Sequence, residues 1–203
     1  IAYLLPAPWY LEVVGQVLSA TNSNVFGSPS QDDVAGIYFI KNFWDLSSET
    51  TFEVDLGYGH GRNDQNQLNH IYNGAVTLKW RPVVKGEQRS VVWTTEYSHA
   101  EKVFTRDDQD NVLNLGRVGG WSSWVQFQLQ KKWWLQARLE NLDQVTLGNT
   151  QTKSSLLIGF VPTEYSALRL QYDHSEVPSA LEAEQRITLQ LNVSMGAHPA
   201  HSY

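Results

Sequence analysis

Chemistry in this sequence would have to start from its six histidines and a few short polar runs. His198 and His201 lie three apart around Pro199, and neutral imidazoles suit zinc or copper, so they are a candidate metal pair. Two ligands do not complete a site, and a turn packing the terminus against the rest of the fold accounts for them more simply. Asp173-His174-Ser175 and Ser98-His99 invite comparison with hydrolases. Neighbours on a strand point to opposite sides, so Asp173 and His174 cannot readily form the base and orienter that a nucleophile needs. No enzymatic activity is expected. Gly57, Gly59 and Gly61 fall within a strand-like run; without a strand-to-helix turn they imply no phosphate-binding loop. They serve instead to relieve crowding on one face or to let the strand bend.

The elements that must carry these residues are read from alternation. Ile187, Leu189, Leu191, Val193 and Met195 fall on one face of the last run, and Arg186, Thr188, Gln190, Asn192 and Ser194 on the other. The same two-faced pattern places Phe52, Val54, Leu56 and Tyr58 opposite Glu53, Asp55, Gly57 and Gly59, and Leu168, Leu170 and Tyr172 opposite Arg169, Gln171 and Asp173. A sheet with one apolar and one polar face meets two different solvents. Charge near the midplane of a lipid-facing surface costs ~2–4 kcal/mol for each Arg or Lys, so strict segregation is what a bilayer would enforce. Val14 and Leu18 break the pattern among the inward positions of the first strand, and Gly36 among the outward positions of the second. These two strands are expected to pack against something besides lipid.

Bulk composition is compatible with this reading. The chain has 203 residues, a formal charge of −6 and a mean hydropathy of −0.37, but polar inward residues dilute the hydropathy of every strand in a membrane barrel. No apolar run is long enough for a membrane helix. Aromatics make up 12% of the chain, with eight Trp and nine Tyr, and both rings suit a membrane interface. Cysteine is absent, which removes disulfides and thiolate metal sites. Mild acidity without Lys/Arg clusters argues against nucleic acid as a partner.

Ten strands are predicted, over 9–21, 34–45, 50–61, 70–81, 89–101, 119–130, 133–143, 154–161, 166–174 and 185–196. Polar connections Asn22–Asp33, Arg62–Asn69, Lys102–Val118, Gln144–Lys153 and Ser175–Glu184 alternate with the shorter Leu46–Glu49, Pro82–Gln88, Lys131–Lys132 and Pro162–Tyr165. Long loops at one end and tight turns at the other are the habit of outer-membrane barrels. Trp9, Trp44, Trp80, Trp133, Phe160 and Tyr165 gather towards the short-turn end, and Tyr58, Tyr72, Tyr97, Trp121 and Tyr172 towards the other, as two interfacial girdles would.

Two stretches carry a family resemblance. Pro162-Thr163-Glu164-Tyr165-Ser166-Ala167-Leu168-Arg169-Leu170-Gln171-Tyr172 and the ending Gly196-Ala197-His198-Pro199-Ala200-His201-Ser202-Tyr203 are similar to the tight turn and terminus of bacterial outer-membrane barrel proteins described as zinc-regulated and TonB-dependent-receptor-like. Weaker echoes occur at Leu78-Lys79-Trp80-Arg81-Pro82 and at 89–96, so the resemblance spans residues 78 to 203. It implies an outer-membrane barrel, a link to metal uptake and a chain that is the C-terminal part of a larger barrel. No plug-like domain or energy-coupling box precedes the strands, which departs from TonB-coupled transport.

The expectation is therefore one all-β domain, an antiparallel up-and-down transmembrane β-barrel of about ten strands in the bacterial outer membrane. Its partners are membrane lipid and either an envelope protein or further copies of itself. Glu53, Asp55, Glu96, Arg138, Glu140, Arg169, Asp173 and Arg186 are expected to line the interior. Porin-like or receptor-like passage of small solutes or metal ions is the first function, and a filled barrel docking to another envelope protein the alternative. No cofactor is required, with zinc at His198 and His201 the one candidate. Acidic loop residues Asp32, Asp33, Asp107, Asp108 and Asp110 would attract cations.

Overall fold

A computed structural model describes residues 1–22, 26–28, 30, 32–63, 65–86, 88–106, 112–144, 149–178 and 183–194. Its elements are β1 (Ala2–Leu4), β2 (Tyr10–Ser19), β3 (Thr21–Asn22), β4 (Phe26–Gly27), β5 (Val34–Asp45), β6 (Thr50–Arg62), β7 (Leu68–Trp80), β8 (Ser90–Arg106), β9 (Val112–Gln130), β10 (Trp133–Gln144), β11 (Asn149–Thr163), β12 (Ser166–Glu176) and β13 (Glu184–Val193). Eleven strands form one sheet in the order β1-β2-β5-β6-β7-β8-β9-β10-β11-β12-β13, and β3 and β4 form a second, two-stranded sheet. Every ladder is antiparallel. The chain is an up-and-down meander, as the alternation predicts, with the short β1 added at one edge.

No hydrophobic core lies between layers. Among the described residues, the buried apolar side chains are Ala20, Ala35 and Ala100 alone. Leu56, Trp93, Tyr97, Trp121, Leu135, Leu139, Leu156, Ile158, Leu170, Ile187 and Leu189 are all exposed, and the strand register puts them on one face. The buried side chains of the large sheet, Ala35, Asn69, Thr94, Ala100, Ser155, Asp173 and Ser175, all belong to the opposite face. A flat sheet would shield both faces alike. Crowding of small polar side chains while large apolar ones stand open means that the sheet curls with its polar face concave and its apolar face convex.

Two expectations are corrected. Much of the stretches Lys102–Val118 and Gln144–Lys153, read above as loops, is strand: β8 runs on to Arg106, β9 begins at Val112 and β11 at Asn149. Backbone pairing continues past the apolar band because a polar hairpin still satisfies its ladder, so the asymmetry between the two ends lies in protruding hairpins more than in loop length. Arg81, the last residue of the strand predicted over 70–81, belongs instead to the turn after β7, where its Nε donates to the Gly86 carbonyl at 3.0 Å. Asp107, Asp108, Asp110, Met195, His198, His201 and Tyr203 lie outside the described residues.

The sheet ends at β1 and at β13. Every residue of β13 is exposed, with Ile187 at 75% and Leu189 at 68%. Among the described residues no strand pairs with its outer edge.

Candidate functional site: the concave polar face

Cross-strand register brings the charged positions into rows. One row runs Phe43, Glu53, Thr77, Thr94, Trp124, Arg138, Ser155, Asp173 and Arg186, each the direct partner of the next. The next row runs Glu12, Lys41, Asp55, Ala75, Glu96, Ser122, Glu140, Lys153, Ser175 and Glu184. Arg169 pairs with Gly159 and Gln190 on the same side. All eight residues singled out in the sequence thus share the concave face. Facing partners on a sheet have Cβ atoms only ~4.5–5.5 Å apart, so the charges interact along the wall.

Asp173 is the most enclosed of them, at 7% exposure. The Ser155 hydroxyl donates to its Oδ1 at 2.5 Å, the Gln171 amide donates to both carboxylate oxygens, and Lys153 Nζ lies 3.4 Å away. Elsewhere Lys79 approaches Glu53 at 3.8 Å, Arg138 pairs with Glu140, and Arg186 donates to Glu184 at 2.6 Å. Each of these pairs joins residues of one strand or of neighbouring strands. Lys41, Lys153 and Glu184 escaped the sequence reading: Lys153 and Glu184 fall in stretches read as loops, and Lys41 sits in β5, whose concave side is otherwise apolar from Ala35 to Phe43.

That apolar stretch has an occupant. The connection from β2 to β5 folds back over the concave face as the β3–β4 hairpin, closed at its base by Ala20 N–H to Asp33 C=O at 3.0 Å and Ser28 N–H to Ala20 C=O at 2.8 Å. The Ser28 hydroxyl also donates to Asp33 Oδ2 at 2.5 Å. Phe26 reaches β6 above its two glycines: a Cβ on Gly59 would stand 3.5 Å from Phe26 Cζ, and one on Gly61 only 2.9 Å from Phe26 Cδ1. Gly57 makes room for the Phe39 ring in the same way, at 3.1 Å. Ala35 breaks the polar pattern here because it packs beside Phe26 at Gly61, whereas Leu18 stays exposed. Phe26 was missed; the glycine triplet facing misplaced apolar residues was the available signal.

The convex face carries two aromatic groups. Tyr38, Tyr58, His60, His70, Tyr72, Tyr97 and His99 form a chain of ring contacts across four strands, including Tyr38–Tyr58 at 6.3 Å, Tyr58–His70 at 6.0 Å and Tyr72–His99 at 4.9 Å. Tyr58 Oη and His70 Nδ1 are hydrogen-bonded at 2.9 Å. Towards the other end Trp44 stacks with Trp9 and with Phe52, and Trp133 packs on Phe160 at 4.5 Å. From Phe52 to Tyr58 is roughly 20 Å along β6, at about 3.3 Å per residue. Three of the histidines thus belong to this belt. His174 is bonded to Glu176 at 2.9 Å on the convex side, away from Asp173, so no catalytic pair forms there. Among the described residues no group of three or more His, Asp and Glu could hold a metal ion.

Set against known protein families, curated proteins and solved structures, the chain matches none. The fold class stands on the coordinates: an all-β, antiparallel meander with a polar concave and an apolar convex face.

Proposed function

We propose that this chain is wall of an outer-membrane β-barrel through which small solutes pass. The observation that carries the reading is the exposed convex band of Leu, Ile, Val and aromatic side chains, flanked by ring clusters at two heights. A soluble monomer rarely exposes an apolar patch beyond a few hundred Å². Lipid hydrocarbon would accept this one, and interfacial rings would fix its depth. The edges support the same conclusion by exclusion: an unpaired backbone row is not tolerated in hydrocarbon, so in a membrane β13 must find a neighbour. The first strands of this sheet, further strands or another copy would supply it.

The concave face favours passage over a filled interior, because its ion pairs run along the wall. Its second row sets Glu12, Asp55, Glu96, Glu140 and Glu184 against Lys41 and Lys153. Rings of carboxylates favour cations, so cations and neutral solutes would pass more readily than anions. Refolded protein in planar bilayers under a salt gradient tests this. Discrete current steps with a cation-selective reversal potential are expected; inserted protein that carries no current would defeat it. The docking alternative draws on the free β13 edge and would then take its place.

A further inference from the structure

We infer that the β3–β4 hairpin is an inward constriction, with Phe26 seated against Gly59 and Gly61, and that it sets the width of the passage at the loop end. The inference rests on the proposed passage and adds the element that limits what enters. Phe26 turns back onto the sheet. Its ring lies over β6 on the concave side, back to back with Tyr58 and His60 of the convex belt on the same strand. The bare backbone of Gly59 and Gly61 is what admits the ring. Asn69, directly across from Gly61, is fully buried, and Ala35, on its other side, is 2% exposed, so the wall is closely packed around the ring. Among the described residues the ring's neighbours Gly59, Gly61 and Ala35 are uncharged, and the Asp33 carboxylate accepts from the Ser28 hydroxyl. Such a mouth selects by size and not by charge, and suits small uncharged or hydrated solutes.

The chain has no cysteine, so introduced thiols are unique probes. In bilayer-inserted protein, Phe26→Cys should react with a small methanethiosulfonate but resist a bulky polyethylene-glycol maleimide. Gln67→Cys, at an exposed turn, should take both. Phe26→Ala should raise single-channel conductance roughly twofold or more, because the wall then limits the bore in place of the ring. Equal labelling of both cysteines by the bulky reagent, or unchanged conductance in Phe26→Ala, overturns the inference and leaves the passage standing. If neither protein conducts while Phe26→Cys stays shielded, the hairpin does fold inward and the passage itself is refuted.

Discussion

Phe26 rests on the bare backbone of Gly61, where an added Cβ would lie 2.9 Å from the ring and 3.0 Å from Ala35 Cβ. This contact ties the connection between β2 and β5 to β6, the fourth strand of the large sheet.

Gly61→Ala should therefore cost stability. Overpacking of a tight site costs about 1–3 kcal/mol, and neither Phe26 nor Ala35 can swing away as a long flexible side chain would. Gly74→Ala is the control, since its Cβ would meet only Leu56 Cδ2 at 3.8 Å. Urea unfolding from lipid vesicles should separate the two; equal midpoints would show that the hairpin does not press on β6.

Leu156→Arg on the convex face should lower the stability of inserted protein by about 2–4 kcal/mol, the penalty for a cation near the bilayer midplane. Gln136→Arg, on the concave face, should be tolerated within a fraction of that. Vesicle-based unfolding of both variants checks the assignment of faces. A reversed order would turn the sheet inside out.

Single-Trp variants offer a spectroscopic test of the same faces. Trp93, Trp121 and Trp133 lie on the convex side and Trp124 and Trp134 on the concave side. Brominated lipid should quench the first three strongly and the last two weakly. Uniform quenching would remove the two-solvent account.

Lys153→Met should destabilise the fold by about 1–3 kcal/mol, between the values for exposed and for buried ion pairs. Asp173, its partner at 3.4 Å, would keep the Ser155 and Gln171 bonds but lose its cation inside a crowded wall. Asp173→Asn in the same background should recover most of the loss, because the uncompensated charge goes with it. Failure of that rescue in a double-mutant cycle would show that the lysine acts through packing alone.

Amide exchange tests the open edge. If β13 gains a neighbour in the membrane, the amides of Glu184–Val193 that have no ladder partner in the sheet should exchange slowly in lipid vesicles. Fast exchange of every second amide would leave the sheet open, and the barrel reading would fail with it.

Much of the sheet was legible in the sequence because strand facing is a local property. Glu53 and Asp55 sit two apart and Arg169 and Asp173 four, and a period of two puts such neighbours on one side whatever the strand pairs with. The same parity puts His60, His70 and His99 on the apolar side. Strand ends were read less well. Lys153 and the stretch before Val118 are polar enough to pass for loops, yet backbone pairing alone carries their strands onward, and no side-chain pattern marks that.

Composition and alternation by themselves determined that this chain builds an antiparallel sheet with two unlike faces, since each residue's side is set by its own place along its strand. Only the tertiary structure decided which residues meet: Asp173 with Lys153, Tyr58 with His70, and Phe26 with Gly61, the last across a turn-back of the chain. It also decided which face is concave. Such contacts depend on register and curvature, which are summed over many strands and written in no single one of them.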